Sequence, residues 1–304
     1  MTTSARRGEP ASELTVFSPA KINLYLRILG KRPDGYHDLE TVMLPLDFGD
    51  QITFRAQTRG ITLECDNPTL PTDDTNLAMH AAKLLASRSG AERGVKIILG
   101  KRTPLAAGLG GGSSNAAAVL LGLSKLWNLP ADSKLLHELA ASMGSDINFF
   151  LGGGAALCHG RGEQTGTVPC TLSAAVLLIN PGFGISTKWA YESWAKAAAG
   201  LTAQPPDVSL LLRALADDDL KGVSRCLFNS LEAPSVTKFP VLRLLKDAMI
   251  KRGAAGALMS GSGATVFGLF QDAQAAEQCA AQVRNDFGPS MWTNVTRFVK
   301  STAQ

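Results

Sequence analysis

Absences narrow the function of this chain first. No apolar run approaches the length needed to span a bilayer, and residues 1–13 hold no hydrophobic segment, so neither an anchor nor a secretory leader is expected. Arg6 and Arg7 among Ser and Ala faintly suggest a transit peptide, which Glu9 and Glu13 oppose. The five cysteines, at positions 65, 158, 170, 226 and 279, are odd in number and form no CxxC pair. Reduced thiols in a cytoplasmic protein are the simplest account. His37, His80, His137 and His159 lack metal-ligand spacing, which argues against a structural zinc site. Aromatics are few, at 6%, and no basic run accompanies the net charge of +4, so a nucleic-acid surface is unsupported. A mild positive balance suits an anionic small molecule instead.

Glycine, by contrast, is concentrated. Pro104-Leu-Ala-Ala-Gly108-Leu-Gly110-Gly111-Gly112-Ser113-Ser114-Asn115 joins a glycine-rich loop directly to an apolar helix. Residues without Cβ let a ligand approach the main chain and let successive N–H groups turn toward one point. The helix behind adds unpaired N–H groups and the positive end of its dipole, which makes the joint a phosphate site. Ser113, Ser114 and Asn115 are good N-cap residues, and the run from Ala116 to Leu121, with Leu123, Leu126 and Trp127, predicts a buried helix. No Gly-Lys-Ser/Thr follows, so this is not a Walker loop, and Gly108-x-Gly110-x-x-Ser113 lacks the third glycine of a dinucleotide fingerprint. A plain helix-entry loop is the remaining alternative.

The length allows two domains with separate cores, and a boundary is expected near Gly166, giving 1–166 and 167–304. Residues 14–17 read as a strand broken at Ser18-Pro19. After it, Ile22, Leu24, Leu26 and Ile28 alternate with Lys21, Asn23, Tyr25 and Arg27. Lys21 and Asn23 sharing one strand face point to a polar site, against the simpler reading of a solvated lysine. Residues 31–35 form a turn, and the rings of Tyr36 and His37 at its exit either hold something flat or pack on a rim. Residues 50–54, 61–65 and 95–99 read as further strands, mostly antiparallel. Residues 72–76 cap a helix ended by Gly90, and Pro130 and Asp132 open another that stops at Gly144. Asp146 either caps the short helix after it or serves the strand lysine, and residues 158–162 read as a flexible turn. Further on, helices are expected at 188–199, 208–216, 240–250 and 272–286, with strands at 174–179 and 295–299. Ser260-Gly261-Ser262-Gly263-Ala264-Thr265 is a second glycine/serine loop feeding an apolar strand, and this half suits a split β-α-β layer.

Ser18-Pro-Ala-Lys21-Ile-Asn23-Leu, the loop from Pro104 to Ala117, and Ser260-Gly-Ser-Gly-Ala-Thr265, in this order, resemble the three motifs of the GHMP kinase superfamily of galactose, homoserine, mevalonate and phosphomevalonate kinases. Pro33-Asp-Gly-Tyr36-His37, the glycine run itself and Gly144-Ser-Asp146 look like the 4-(cytidine 5′-diphospho)-2-C-methyl-D-erythritol kinase branch, which serves the non-mevalonate isoprenoid pathway. The resemblance runs from about Val16 to Phe298. It implies an α+β, two-domain GHMP kinase fold, with an N-terminal ribosomal-protein-S5-like ATP-binding domain and a C-terminal ferredoxin-like domain. It further implies ATP and Mg2+, the metal held mainly through phosphates, and a cytoplasmic monomer or weak homodimer with no nucleic-acid or membrane partner.

Residue roles follow from that resemblance. Lys21 and Asp146 match the catalytic pair that moves the γ-phosphoryl of ATP to a tertiary hydroxyl, with Asp146 as base. Pro104, Leu105, Ala106, Ala107, Gly108, Leu109, Gly110, Gly111, Gly112, Ser113 and Ser114 match the triphosphate loop, and Asn76 lies near the adenine. Tyr36 and Tyr191 would sandwich cytosine while His37 reads its edge, and Thr187 adds a polar contact. Asn23 is expected near the polyol or phosphates, and Gly261, Ser262 and Gly263 near the diphosphate. Met43 stands where relatives have an aromatic beside the cytosine, so that wall is expected to be softer, and Asn148 replaces a frequent proline. Three rival readings are another acceptor (mevalonate, homoserine or a sugar), a non-catalytic nucleotide-binding module, and a dinucleotide oxidoreductase. The Tyr36-His37 pair, the intact Lys21 and Asp146, and the glycine spacing oppose them in turn.

Overall fold

Two long strands form the spine of the computed structural model, which describes residues 13–91, 93–129, 133–197 and 204–299. β1 (Glu13–Lys31) and β2 (His37–Gln57) pair antiparallel around the predicted turn. The break expected at Ser18-Pro19 does not occur. Pro19 lies opposite Gly49, where a Cβ would meet Ser18 O at 2.1 Å, so a glycine lets the ladder close over the proline, and a register shift before Lys21 absorbs the irregularity. A second shift between Asn23 and Tyr25 reverses the face parity. The alternation read from sequence therefore ends at Leu24: Leu26 lines the same cleft as Lys21 and Asn23, while Tyr25 joins Ile22 and Leu24 in the core. The predicted strand at 50–54 is the far end of β2.

Next come β3 (Ile61–Cys65), α1 (Leu77–Ser89), β4 (Gly94–Gly100), α2 (Gly111–Leu126), α3 (Ser133–Met143), α4 (Ile147–Gly152), β5 (Ala156–Gly160) and β6 (Gln164–Thr167). Asn76 caps α1 as expected, its Oδ1 accepting from Ala78 N at 2.9 Å, and Gly90 ends it. The stretch 158–162 is mostly strand rather than turn, because Cys158 is fully buried and pairs with Thr41 of β2, so only the residues after Gly160 turn.

The remaining elements are β7 (Ala175–Asn180), α5 (Thr187–Ala197), α6 (Val208–Ala216), α7 (Leu220–Arg225), β8 (Phe228–Asn229), α8 (Glu232–Lys238), α9 (Val241–Lys251), β9 (Gly256–Met259), β10 (Val266–Phe270), α10 (Ala273–Phe287) and β11 (Trp292–Arg297). One sheet runs β3-β4-β2-β1-β8, with β5 and β6 continuing from β2, and the other runs β11-β7-β10-β9 and is antiparallel throughout. β8 crosses into the first sheet and pairs parallel with β1 through Tyr25 and Leu26. Helices α1, α2 and α3 cover one side of the first sheet. A second core joins Ile22 and Leu24 of β1 to Val176, Leu178 and Phe267 of the other sheet, which is backed in turn by α9 and α10.

The five cysteines are unpaired. Among the described residues no helix is long and apolar enough to cross a membrane. The readings made of residues 1–12, of Pro130 and Asp132 and of positions 198–199 lie outside the described residues.

Candidate active site

Burial of α2 fixes its first turn, but not with the expected caps. The N-cap is Gly110, without a side-chain bond, and Ser114 and Asn115 turn inward instead. Ser114 Oγ lies 2.7 Å from Ser18 Oγ, and Asn115 Nδ2 donates to Ser18 Oγ and to Asp50 Oδ2, both at 2.9 Å. Asp50 is fully buried; it accepts from the main-chain N–H of Arg102 and Thr103 at 2.8 Å each and pairs with Lys101, which also donates to Asn115. A buried carboxylate is tolerable only with partners of this kind. This network locks both long strands, the entrance of the loop and α2 together. Sequence reading missed it, since its members are scattered from residue 18 to 115.

The loop itself closes by main-chain contacts. Gly108 and Gly110 have φ of 77° and 71°, in the left-handed region. A Cβ on Gly110 would lie 3.0 Å from Lys21 Cγ, and one on Gly108 would lie 2.0 Å from Ser260 O. Lys21 N donates to Leu109 O at 2.9 Å, Ser260 Oγ to Gly108 O at 2.9 Å, and Thr265 N to Ala107 O at 3.2 Å. Asn229 of β8, which pairs with Leu26 of β1, donates to Met259 O and Gly261 O at 2.8 Å each and so fixes the second loop. Three motifs far apart in sequence thus meet.

At their junction Lys21 Nζ is 3.4 Å from Asp146 Oδ2 and donates to Asn23 Oδ1 at 2.6 Å. Asn23 in turn donates to Thr41, and Thr41 to Tyr25 O, so the ammonium is held from below by a chain of buried polar groups. Lys21 is 3% exposed, which rules out the solvated reading. Asp146 occupies the N-cap position of α4 yet makes no side-chain cap bond, so its carboxylate serves the lysine and remains one-third open, with 34% of the side chain exposed. Cys158 is close enough for the Asp146 charge to register, though burial is the larger effect; its thiol is pushed up to about 12 and stays protonated.

The pair opens into a cleft of about 1140 Å³. Every residue from Pro104 to Ser113 lines it, as do Asn23, Tyr36, His37, Thr187, Tyr191, Gly261 and Ser262. Ser114 does not, being buried beneath the loop. Asn76 also does not: its amide is spent on the cap and on Pro71 O, and Leu70 and Leu77 line that end. Gly263 packs inside its own loop, where a Cβ would meet Met259. Thr187 Oγ1 reaches Ser262 Oγ at 3.1 Å, joining α5 to the second loop.

At the other end, His37 stacks on Tyr191 with centroids 5.1 Å apart, and Trp194 meets His37 edge-on at 5.7 Å. Trp194 was not anticipated, although its spacing of three from Tyr191 puts both on one helix face. His37 Nε2 is buried without a partner among the described residues. Burial, and secondarily Lys31, lower its pKa below the ordinary histidine value, so the ring is neutral at physiological pH. Burial, then Asp146, raises the pKa of the Tyr191 hydroxyl. Met43 is not a wall of this cleft: it is fully buried in the core under α2, opposite Asn23 in the ladder. The expected softening of the ring pocket at Met43 therefore falls away.

Comparison with known proteins agrees with this geometry. Residues 76–158 match the family described as GHMP kinases N terminal domain, and residues 211–289 match GHMP kinases C terminal. The 4-diphosphocytidyl-2-C-methyl-D-erythritol kinase of Pelotomaculum thermopropionicum is 42% identical over 273 residues, covering 89% of this chain and 94% of that protein. That of Prosthecochloris aestuarii is 42% identical over 282 residues, covering 91% and 97%. A crystal structure of 4-(cytidine 5'-diphospho)-2C-methyl-D-erythritol kinase superposes with a TM-score of 0.79 at 33% identity, over 94% of this chain and 99% of that one. Homoserine kinase from Cytophaga hutchinsonii shares the fold at a TM-score of 0.73 and 20% identity. The chain has the two-domain α+β fold of the GHMP kinases and belongs to their 4-diphosphocytidyl-2-C-methyl-D-erythritol kinase family.

Proposed function

We propose that this chain transfers the γ-phosphoryl group of ATP to the 2-hydroxyl of 4-diphosphocytidyl-2-C-methyl-D-erythritol, a step toward isoprenoid precursors. The observation that carries the mechanism is the 3.4 Å approach of Lys21 to Asp146 between the glycine loop and the ring cluster. Phosphoryl transfer asks for positioning and charge stabilisation more than covalent help. The acceptor oxygen bonds to the γ-phosphorus, the bond to the bridging oxygen of ADP breaks, and the hydroxyl proton passes to Asp146. Lys21, anchored by Asn23, holds the Asp146 carboxylate in place and meets charge growing on the transferred group.

The main chain from Gly108 to Gly112 and the N-terminus of α2 receive the triphosphate. Ser113 lines the cleft at the end of the glycine loop and would be the protein donor to a magnesium ion bound with the triphosphate. When bound, that ion neutralises phosphate charge. Tyr36, His37 and Tyr191 receive the cytosine, and the unpartnered His37 Nε2 supplies an edge contact that stacking alone lacks.

The test is ADP release against the cytidylyl acceptor, mevalonate and homoserine. The cytidylyl acceptor is expected to be turned over at least about a hundredfold more efficiently, because a site built to hydrogen-bond a base rejects ligands lacking it. Comparable rates with all three would overturn the assignment.

A further inference from the structure

We propose that Arg161 determines acceptor specificity by backing the Tyr36 ring, so that the exposed phenol stands as a fixed platform for the pyrimidine. Tyr36 is 55% exposed and follows a glycine turn, so by itself its side chain would be free to change rotamer. The Arg161 guanidinium carbon lies 4.9 Å from the centre of that ring, and both residues line the cleft.

The arginine is built in from several sides. Gly160 pairs with Leu39, which sets the β5–β6 turn beside the turn that carries Tyr36. Arg161 N donates to Glu163 Oε2 at 2.7 Å, and Nη2 reaches Ala141 O at 3.4 Å. Asn148, two residues after Asp146, donates to Glu163 O at 3.2 Å and faces His137 Nδ1 at 2.9 Å, clamping the base of the same turn. This gives the asparagine that replaces a proline a defined task. A planar cation held over one ring face orders the ring and leaves its opposite face for a flat ligand.

The assignment rests on the cytidylyl acceptor proposed above, and the test separates the two. Arg161→Met keeps an unbranched apolar stem but removes plane and charge. Steady-state kinetics of this variant should show an acceptor KM raised about tenfold, with kcat and the KM for ATP within about twofold of the unmodified chain. Arg161→Lys should fall between. Tyr36→Ala should raise the acceptor KM similarly, and the double variant Arg161→Met/Tyr36→Ala should be no worse than Tyr36→Ala alone. Penalties that multiply, an unchanged acceptor KM, or a loss confined to kcat would each overturn the role, the last by making the turn a mere support for Asp146. Calorimetric titration with cytidine diphosphate completes the separation. Equal binding by the unmodified chain and Arg161→Met sinks only the Arg161 assignment, whereas no binding by either sinks the acceptor reading as well.

Discussion

The two walls of the cleft are built on opposite plans. The glycine wall is main chain, pinned by Asp50, Lys101, Asn115, Ser18 and Ser114, with all but Lys101 at most 3% exposed as whole residues. The ring wall is side chain, carried by a turn and by α5, with Tyr36 open to solvent and His37 Nε2 unsatisfied. In the proposed reaction the triphosphate would meet the preset glycine wall. In the same reading the acceptor's base would meet the ring wall, whose groups a ligand must complete.

Variants can test this division, beginning with the pair that belongs to neither wall. Asp146→Asn should lower kcat by about a thousandfold while leaving both Michaelis constants nearly unchanged, measured by ADP release. Asp50→Ala strikes beneath the glycine wall. It strands the buried ammonium of Lys101 and should cost about 3–5 kcal/mol of stability, read from denaturant unfolding. His37→Ala touches only the ring wall and should raise the acceptor KM about tenfold without affecting ATP. The mildest probe is pH. Because burial and Lys31 keep His37 neutral, the acceptor KM should be flat above the ordinary histidine range. It should rise only below it, as protonation charges the ring, and His37→Ala should abolish that rise. An ATP KM that moves with His37, or a pH rise that survives its removal, would erase the distinction between the walls.

Sequence reveals the glycine wall better than the ring wall, for a physical reason. A loop that closes on Lys21 and Ser260 through left-handed dihedrals demands glycine at fixed positions, so Gly108 and Gly110 announce themselves, and a lysine in a strand beside an asparagine is unusual enough to notice. The rest depends on distant partners. Asp50 reads as an ordinary strand residue until Lys101 and Asn115 come to it. The irregularity at Leu24 leaves no trace in composition, yet it swings Leu26 onto the cleft face. Position in an alignment of motifs carried Met43 into the ring pocket, where the ladder instead turns it to the core. Arg161 looked like part of a loose turn because the contacts that hold it come from α3, α4 and β2.

The two-residue strand β8 has a consequence for modularity. Phe228 and Asn229 hem the open side of β1 while Asn229 grips the loop at Gly261, so the second half of the chain finishes a sheet that belongs to the first. A fragment ending before β7 would leave Tyr25 and Leu26 with bare backbone at the rim, and grafting the second half of another family member would graft that hem with it. The halves are better pictured as a clasp than as beads.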